Sequence, residues 1–201
     1  MDSKLSRRSL LVALPAGALL AALPRDALAL DVNQARALID KALGEVNAVI
    51  NSGKSEPAMF KDFEAIFVRY ADVRYIAQSA LGPAGRSASA ADMNAYVKAF
   101  QGYISRKYGR RFREFIGGKI EVTGARPLKS FFEVKSVAYL KGQSPFEVLW
   151  HVFDKSGKNQ FFNIIIEGVN MLAAERTEIG AMLDKNKGSI AALTAALKTA
   201  G

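Results

Sequence analysis

The residues that could carry chemistry in this chain are few, and a single histidine is the first of them. The sequence contains one His, His151, and no cysteine, so thiol chemistry, disulfides and Cys-ligated metal centres are excluded. Alternation along residues 146–153 places apolar side chains on one face of a strand, and Glu147, Leu149 and His151 on the other. We therefore predict that His151 points outward beside Glu147, where it cannot act on an enclosed substrate.

No catalytic or nucleotide-binding motif accompanies this histidine. The chain has no G-x-S-x-G turn, no G-x-G-x-x-G and no phosphate-binding loop. Glu175 and Glu178 lie one helical turn apart with Arg176 between them, and we interpret them as a solvated helix face. A single imidazole cannot make a structural zinc site. The sequence therefore predicts no catalytic residue, no metal site and no cofactor.

The most informative stretch is residues 100–115, where basic and aromatic residues interleave. Arg106, Arg110 and Arg113 are spaced by four and three residues, so they share one stripe of a helix. Aromatic and aliphatic residues follow the same spacing on another face. A core face opposite a solvated face explains the pattern, and so does a cationic rim beside an apolar interior. In the second interpretation the three arginines contact anionic membranes or acidic partners, whereas nucleic acid fits poorly because the aromatic residues face inward.

The spacing of the apolar side chains predicts the helices and strands that position these residues. Helical spacing dominates residues 32–115 and returns from residue 169. Between them, four segments rich in aromatic and β-branched residues are separated by short breaks, which predicts antiparallel hairpins. The layout indicates an α+β fold with one domain. The four strand candidates are 119–125, 130–140, 145–154 and 159–167.

The faces of these strands and helices that carry apolar side chains also predict the wall of an apolar cavity. A densely filled core would explain the many aromatic residues equally well, but an acyl chain likewise needs an apolar wall and no catalytic group. We expect this wall to contain no Asp or Glu. From the shared alternation and the helical stripe, the predicted lipid-contacting residues are Val148, Trp150, Val152, Phe162, Ile164 and Ile166 on strands, and Phe63, Phe67, Phe100, Tyr103, Ile104 and Tyr108 on helices.

The first 29 residues have the features of an export signal. Basic residues that include the pair Arg7 and Arg8 precede an apolar run over residues 10–23, and Ala27-Leu28-Ala29 suits signal peptidase. The arginine pair resembles a twin-arginine signal, while a membrane anchor is the alternative. Cleavage after Ala29 would leave residues 30–201 as a single lipid-binding domain. That domain has 24 basic and 17 acidic residues, hence a net charge of +7.

Two segments resemble one known family. Residues 164–170 read IIIEGVN, with Val148-Leu149-Trp150 upstream and Arg176 and Gly188 downstream. This arrangement resembles the MlaC family of periplasmic phospholipid-binding proteins, also called the toluene-tolerance auxiliary component of an ABC transporter. Residues 67–77, followed by Leu81-Gly82 and Arg86, resemble the family's N-terminal half. The chain departs from the family at four positions, which are Asn170 for Ser, Asn163 for Asp, Gly85 for an aromatic residue and Asn159 for Trp.

The resemblance implies a fold, a ligand and two partners. The fold would be a twisted antiparallel sheet of about four strands cradled by helices around a deep apolar cavity. The protein would carry phospholipid through the periplasm of a Gram-negative bacterium. It would exchange this lipid with an inner-membrane ABC transporter complex and an outer-membrane lipoprotein complex, and so maintain outer-membrane lipid asymmetry. It would not be an enzyme. The alternatives are a hopanoid or other lipid carrier of the same family, a cone-shaped α+β cavity enzyme, and a module that only tethers envelope proteins.

Overall fold

Helices and one antiparallel sheet account for nearly all of the described chain. The structure is a computed structural model that describes residues 30–201, apart from the side chains of residues 112 and 113. The predicted signal and the side chain of Arg113 therefore lie outside the described residues. The α-helices are α1 (Val32–Ile50), α2 (Glu56–Tyr70), α3 (Val73–Leu81), α4 (Ala90–Arg111), α5 (Met171–Lys185) and α6 (Ile190–Leu197). The strands are β1 (Lys119–Leu128), β2 (Phe131–Tyr139), β3 (Phe146–Phe153), β4 (Gln160–Ile166) and β5 (Val169–Asn170).

The sheet has the simplest antiparallel topology. Its strand order is β1-β2-β3-β4-β5, so each strand pairs with its neighbours in sequence. This arrangement confirms the predicted α+β class, and it adds the two-residue strand β5 to the four predicted strands. The β4–β5 turn consists of Glu167 and Gly168, both with positive φ (49° and 80°). Gly168 adopts this conformation at little cost.

Side-chain caps set the starts of several helices. Asp31 accepts hydrogen bonds from the backbone N–H groups of Asn33 and Gln34 at 2.7 and 2.8 Å, and the Gln34 side chain completes a capping box. The Ser89 hydroxyl accepts a hydrogen bond from the Asp92 N–H at 3.1 Å. Helix α5 begins two residues later than its apolar period because Asn170 belongs to β5 and caps the helix through the N–H of Ala173 (3.0 Å).

The helices cover one face of the sheet and pack against one another beyond it. Helix α1 lies against β1, β2 and β3, while α4 packs against α2, α3 and α6, and α5 packs against α3. Two 3₁₀ turns, Gly82–Arg86 and Phe112–Phe115, follow α3 and α4. Within residues 30–201, none of the helices has the length and apolar character needed to cross a membrane. The arrangement leaves a space between the sheet and the ends of α1, α2 and α4.

Candidate functional site

The space between the sheet and the helices is a cavity of about 200 Å³. Its lining is apolar except for Ser105, Asn163, Glu175 and the hydroxyl of Tyr108. Strands β3 and β4 form one wall, and α1, α2, the last turns of α4 and the first turns of α5 form the others. The sequence-predicted residues that border this cavity are Phe63, Phe67, Ile104, Tyr108, Val148, Trp150, Phe162, Ile164 and Ile166.

Three of the predicted lining residues lie elsewhere. Phe100 and Tyr103 are buried in α4, with their ring centroids 6.2 Å apart, and Phe100 also packs on Tyr96 at 5.8 Å. Val152 is fully buried opposite Phe161 in the sheet. The cause for Phe100 and Tyr103 is that α4 packs against three other helices, so a buried stripe on it faces several neighbours and only its last turns reach the cavity.

A β-bulge changes which aromatic residue of β4 faces inward. His151 pairs with Asn163 and Val152 pairs with Phe161, so Phe162 is an extra residue between the two pairs. Phe161 consequently packs on Trp150, with ring centroids 5.3 Å apart. The Phe162 ring contacts His151 and Phe153 at 5.8 and 4.4 Å, although the residue still borders the cavity. Strict alternation places Phe162 inside and does not predict the role of Phe161.

The other apolar lining residues and Gly109 were not predicted from the sequence. Their helical or alternating apolar spacing was visible, but that spacing predicts burial and does not distinguish a cavity wall from a filled core. No local signal would have separated the two cases, because the distinction depends on which elements fail to meet. These residues are Ala42, Leu43, Val46, Ile66, Ile76, Gly109, Phe115, Ile120, Phe146, Phe161, Met171 and Leu172.

Glu175 is the one acidic residue among the lining residues, and it contradicts two predictions. It is only 3% exposed rather than solvated, and it places a carboxylate in a wall expected to have none. Its Oε1 accepts hydrogen bonds from Lys107 Nζ at 2.6 Å and from the Tyr108 hydroxyl. The Lys107 ammonium also bonds Glu178, which accepts from the Tyr103 hydroxyl at 2.6 Å. We call these five residues the α4–α5 polar network.

Burial and hydrogen bonding shift the pKa values of this network and so determine its donors and acceptors. Burial, and then a hydrogen bond to Glu178, raises the pKa of the Tyr103 hydroxyl. Burial, and then a hydrogen bond to Glu175, raises the pKa of Tyr108, so both hydroxyls remain protonated donors at neutral pH. Burial tends to raise the pKa of Glu178, but hydrogen bonds from Lys107 and Tyr103 outweigh it and the pKa is lowered. Glu178 is therefore an anionic acceptor.

His151 does not border the cavity, but its surroundings differ from those predicted. Its ring lies 4.6 Å from that of Phe131, and its Nε2 lies 3.5 Å from Glu133 Oε2 on the neighbouring strand. Glu147, the predicted neighbour, forms an ion pair with Lys135 instead. Burial lowers the pKa of His151, although Glu133 opposes that shift. The imidazole is thus mainly neutral near pH 7 and packs on the face of the sheet opposite Trp150.

The cationic rim stays a prediction, but the structure engages the Arg106 side chain within the chain. Its guanidinium donates hydrogen bonds to the backbone carbonyls of Leu197 (2.5 Å) and Ala200 (2.8 and 3.0 Å), at the C-terminal end of α6. A cation at a helix C-terminus satisfies carbonyls that have no partner within the helix. Arg110 is exposed at the end of α4. The Arg113 side chain is outside the described residues.

The fold and the cavity define a class of protein: an antiparallel sheet and helices that enclose an apolar cavity with few polar groups. Within that class the chain belongs to the MlaC family, because the family pattern, described as MlaC protein, matches residues 40–199. The structure is also similar to a solved structure described as the phospholipid-binding protein from Ralstonia solanacearum in complex with a phospholipid. The TM-score is 0.70 at 18% sequence identity, over 81% of this chain and 94% of that chain.

The segments that carried the family resemblance meet in the structure. The Arg176 guanidinium lies against Gly82, where a Cβ atom would be 3.4 Å from Nη2.

Two of the departures from the family pattern preserve a hydrogen-bond acceptor. Asn163 Oδ1 accepts from the backbone N–H groups of Ile164 (2.9 Å) and Leu172 (3.1 Å), and Asn170 caps α5. An amide oxygen performs these tasks as a carboxylate or hydroxyl oxygen would, so the departures leave the local backbone intact.

Proposed function

We propose that this protein is a periplasmic phospholipid carrier that holds the acyl chains of its lipid in the cavity between the sheet and the helices. The observation that carries the proposal is the nearly continuous apolar lining, because acyl chains gain free energy by leaving water for such a wall. Membership of the MlaC family and similarity to a protein solved with a phospholipid support it. The proposal includes cleavage of residues 1–29, which leaves residues 30–201 as one domain.

The lipid would pass between an inner-membrane ABC transporter complex and an outer-membrane lipoprotein complex. The net charge of +7 on residues 30–201 suits brief encounters with anionic membranes or acidic partner surfaces. Arg110 is an exposed cation available for such contacts, whereas Arg106 is engaged by α6. A carrier of this kind releases its cargo unchanged, so we propose no catalytic step.

Native mass spectrometry with lipid extraction tests the proposal directly. We expect residues 30–201, purified from the periplasm of a Gram-negative host, to carry lipid at about one molecule per chain, with the head group and both ester bonds intact. Extraction should return phospholipid. Hopanoid in its place would favour the alternative carrier of the same family. A mass equal to that of the protein alone would contradict the carrier function, and lysophospholipid formed on incubation would indicate an enzyme.

A further inference from the structure

One atom bordering the cavity lacks the hydrogen bond that burial normally demands. Among the described residues, Glu175 Oε2 is buried and has no hydrogen-bond partner, while Oε1 of the same carboxylate receives both Lys107 and Tyr108. An unsatisfied buried polar atom typically costs about 1–3 kcal/mol, and more when the group is charged. Natural proteins seldom retain such an atom without a use for it.

We infer that Glu175 is the acceptor for a hydrogen-bond-donating group of the bound lipid. The inference rests on the proposed carrier function and adds a chemical preference to it. The position favours this role because α5 passes from the cavity to the surface within one turn there. Glu175 is 3% exposed, whereas the Glu178 side chain is 47% exposed. A lipid whose acyl chains fill the cavity would therefore have its head group close to Glu175.

The α4–α5 polar network prepares Glu175 for a donor rather than for an anion. Lys107 compensates its negative charge, and the protonated Tyr108 hydroxyl occupies only Oε1. The free oxygen can therefore accept one more hydrogen bond. A phosphate or a free fatty-acid carboxylate would bring a like charge into a site of low dielectric constant, which is unfavourable. An ordered water would need at least two polar partners, and the lining offers few besides Glu175.

The proposed contact distinguishes lipids by whether the head group carries a hydrogen-bond donor. An ethanolamine ammonium and a glycerol hydroxyl both carry hydrogen-bond donors. A choline group has a positive charge but no N–H, so it cannot donate to Oε2. Phosphatidylethanolamine, phosphatidylglycerol and phosphatidylcholine with identical oleoyl chains therefore present the same apolar body to the cavity and differ at the proposed contact.

A competition experiment measures this preference. Delipidated protein is incubated with vesicles that contain equal amounts of the three dioleoyl lipids, and the bound lipid is quantified by mass spectrometry. We expect phosphatidylethanolamine or phosphatidylglycerol to exceed phosphatidylcholine about tenfold, the effect of one hydrogen bond to a charged group. The ratio of the first two lipids distinguishes an amine donor from a hydroxyl donor.

Two variants test the role of Glu175. Glu175→Gln should reduce the preference over phosphatidylcholine to about onefold to threefold, because the acceptor loses its charge. Glu147→Gln is the matched control and should keep the preference, because it removes a carboxylate charge outside both the cavity lining and the α4–α5 polar network, where Glu147 pairs with Lys135. Because each ratio is measured within one protein sample, a partly unfolded variant does not distort it.

The outcomes distinguish this inference from the carrier function itself. Equal uptake of all three lipids by the unaltered protein would overturn the role of Glu175 and leave the carrier function standing, and this arm needs no variant. A preference that survives in Glu175→Gln would overturn it as well. A protein that takes up none of the lipids would contradict both proposals.

Discussion

The cavity has two walls of different character. We call the lining residues of β3 and β4 the sheet wall, and those of α4 and α5 the helical wall. On the sheet wall, Val148, Trp150 and Ile164 present apolar surface, and the one indole N–H donates to Ser136 Oγ at 2.9 Å. On the helical wall, hydrogen bonds and an ion pair from Lys107 and Tyr108 of α4 to Glu175 of α5 cross the gap between the two helices.

This difference assigns separate tasks to the two walls. Apolar burial is non-directional and depends mainly on area, so the sheet wall can accept acyl chains of different lengths. Hydrogen bonds to a buried carboxylate depend strongly on geometry and charge. The helical wall is therefore where a carrier of this shape could discriminate among head groups. Substitutions on each wall test whether the tasks are separate.

The largest effect should come from a charge placed on the sheet wall. Val148→Asp puts an unpaired carboxylate among apolar side chains at a position that is 4% exposed, which costs several kcal/mol if the charge persists. We expect loss of bound lipid in native mass spectrometry and a clearly lower melting temperature. Leu149→Asp is the matched control, because this side chain lies on the opposite face of β3 and its register partner is Lys135. Equal lipid loss in both variants would contradict the assignment of the sheet wall.

An intermediate effect is expected behind the helical wall, at Arg106. Arg106→Ala removes charged donors from the carbonyls of Leu197 and Ala200, and should lower the free energy of unfolding by about 2 kcal/mol. Urea denaturation would measure this change, and faster hydrogen exchange in α6 should accompany it. Arg110→Ala, on the exposed end of the same helix, should change stability by less than about 0.5 kcal/mol. Similar losses in the two variants would mean that the bonds to α6 add little.

The smallest effect, and the most diagnostic one, concerns glycines in two helices. Gly44 in α1 has open space around it, whereas a Cβ atom at Gly109 in α4 would lie 2.5 Å from Phe60 Cδ1. Gly44→Ala should therefore stabilise the protein by about 0.5–1 kcal/mol through helix propensity. At Gly109 the overpacking cost of about 1–3 kcal/mol should exceed that gain and make Gly109→Ala destabilising by about 1 kcal/mol. Thermal unfolding shows whether each substitution raises or lowers the stability of the protein. A stabilised Gly109→Ala variant would show that α2 and α4 pack less tightly than the distance to Phe60 implies.

The two walls also differ in how far the sequence predicts them. A strand has two faces, so alternation in β3 identified Val148 and Trp150 as inward-facing without further information. A helix has neighbours all around it. The apolar stripe of α4 predicted burial for Phe100 and Tyr103 correctly, but it could not indicate that they contact other helices rather than the cavity.

The sequence by itself determined the features whose signals are local. Alternation, helical spacing and short breaks predicted the α+β class and the hairpins, because each of these signals depends on residues a few positions apart. The resemblance of residues 164–170 and of residues 67–77 to the MlaC family indicated the family, and the match over residues 40–199 confirms it.

Only the tertiary structure decided the features that depend on residues far apart in the chain. The bulge at Phe162 reverses the facing of part of β4, and its position depends on the register with β3. Glu175 is buried because α5 lies beside Lys107 and Tyr108, about seventy positions earlier in the chain. Arg106 caps a helix that forms after more than eighty further residues. From sequence alone, a charged side chain is predicted to be exposed to solvent. Its burial is tolerated only when a hydrogen-bonding or oppositely charged partner is present, and that partner is distant in the sequence.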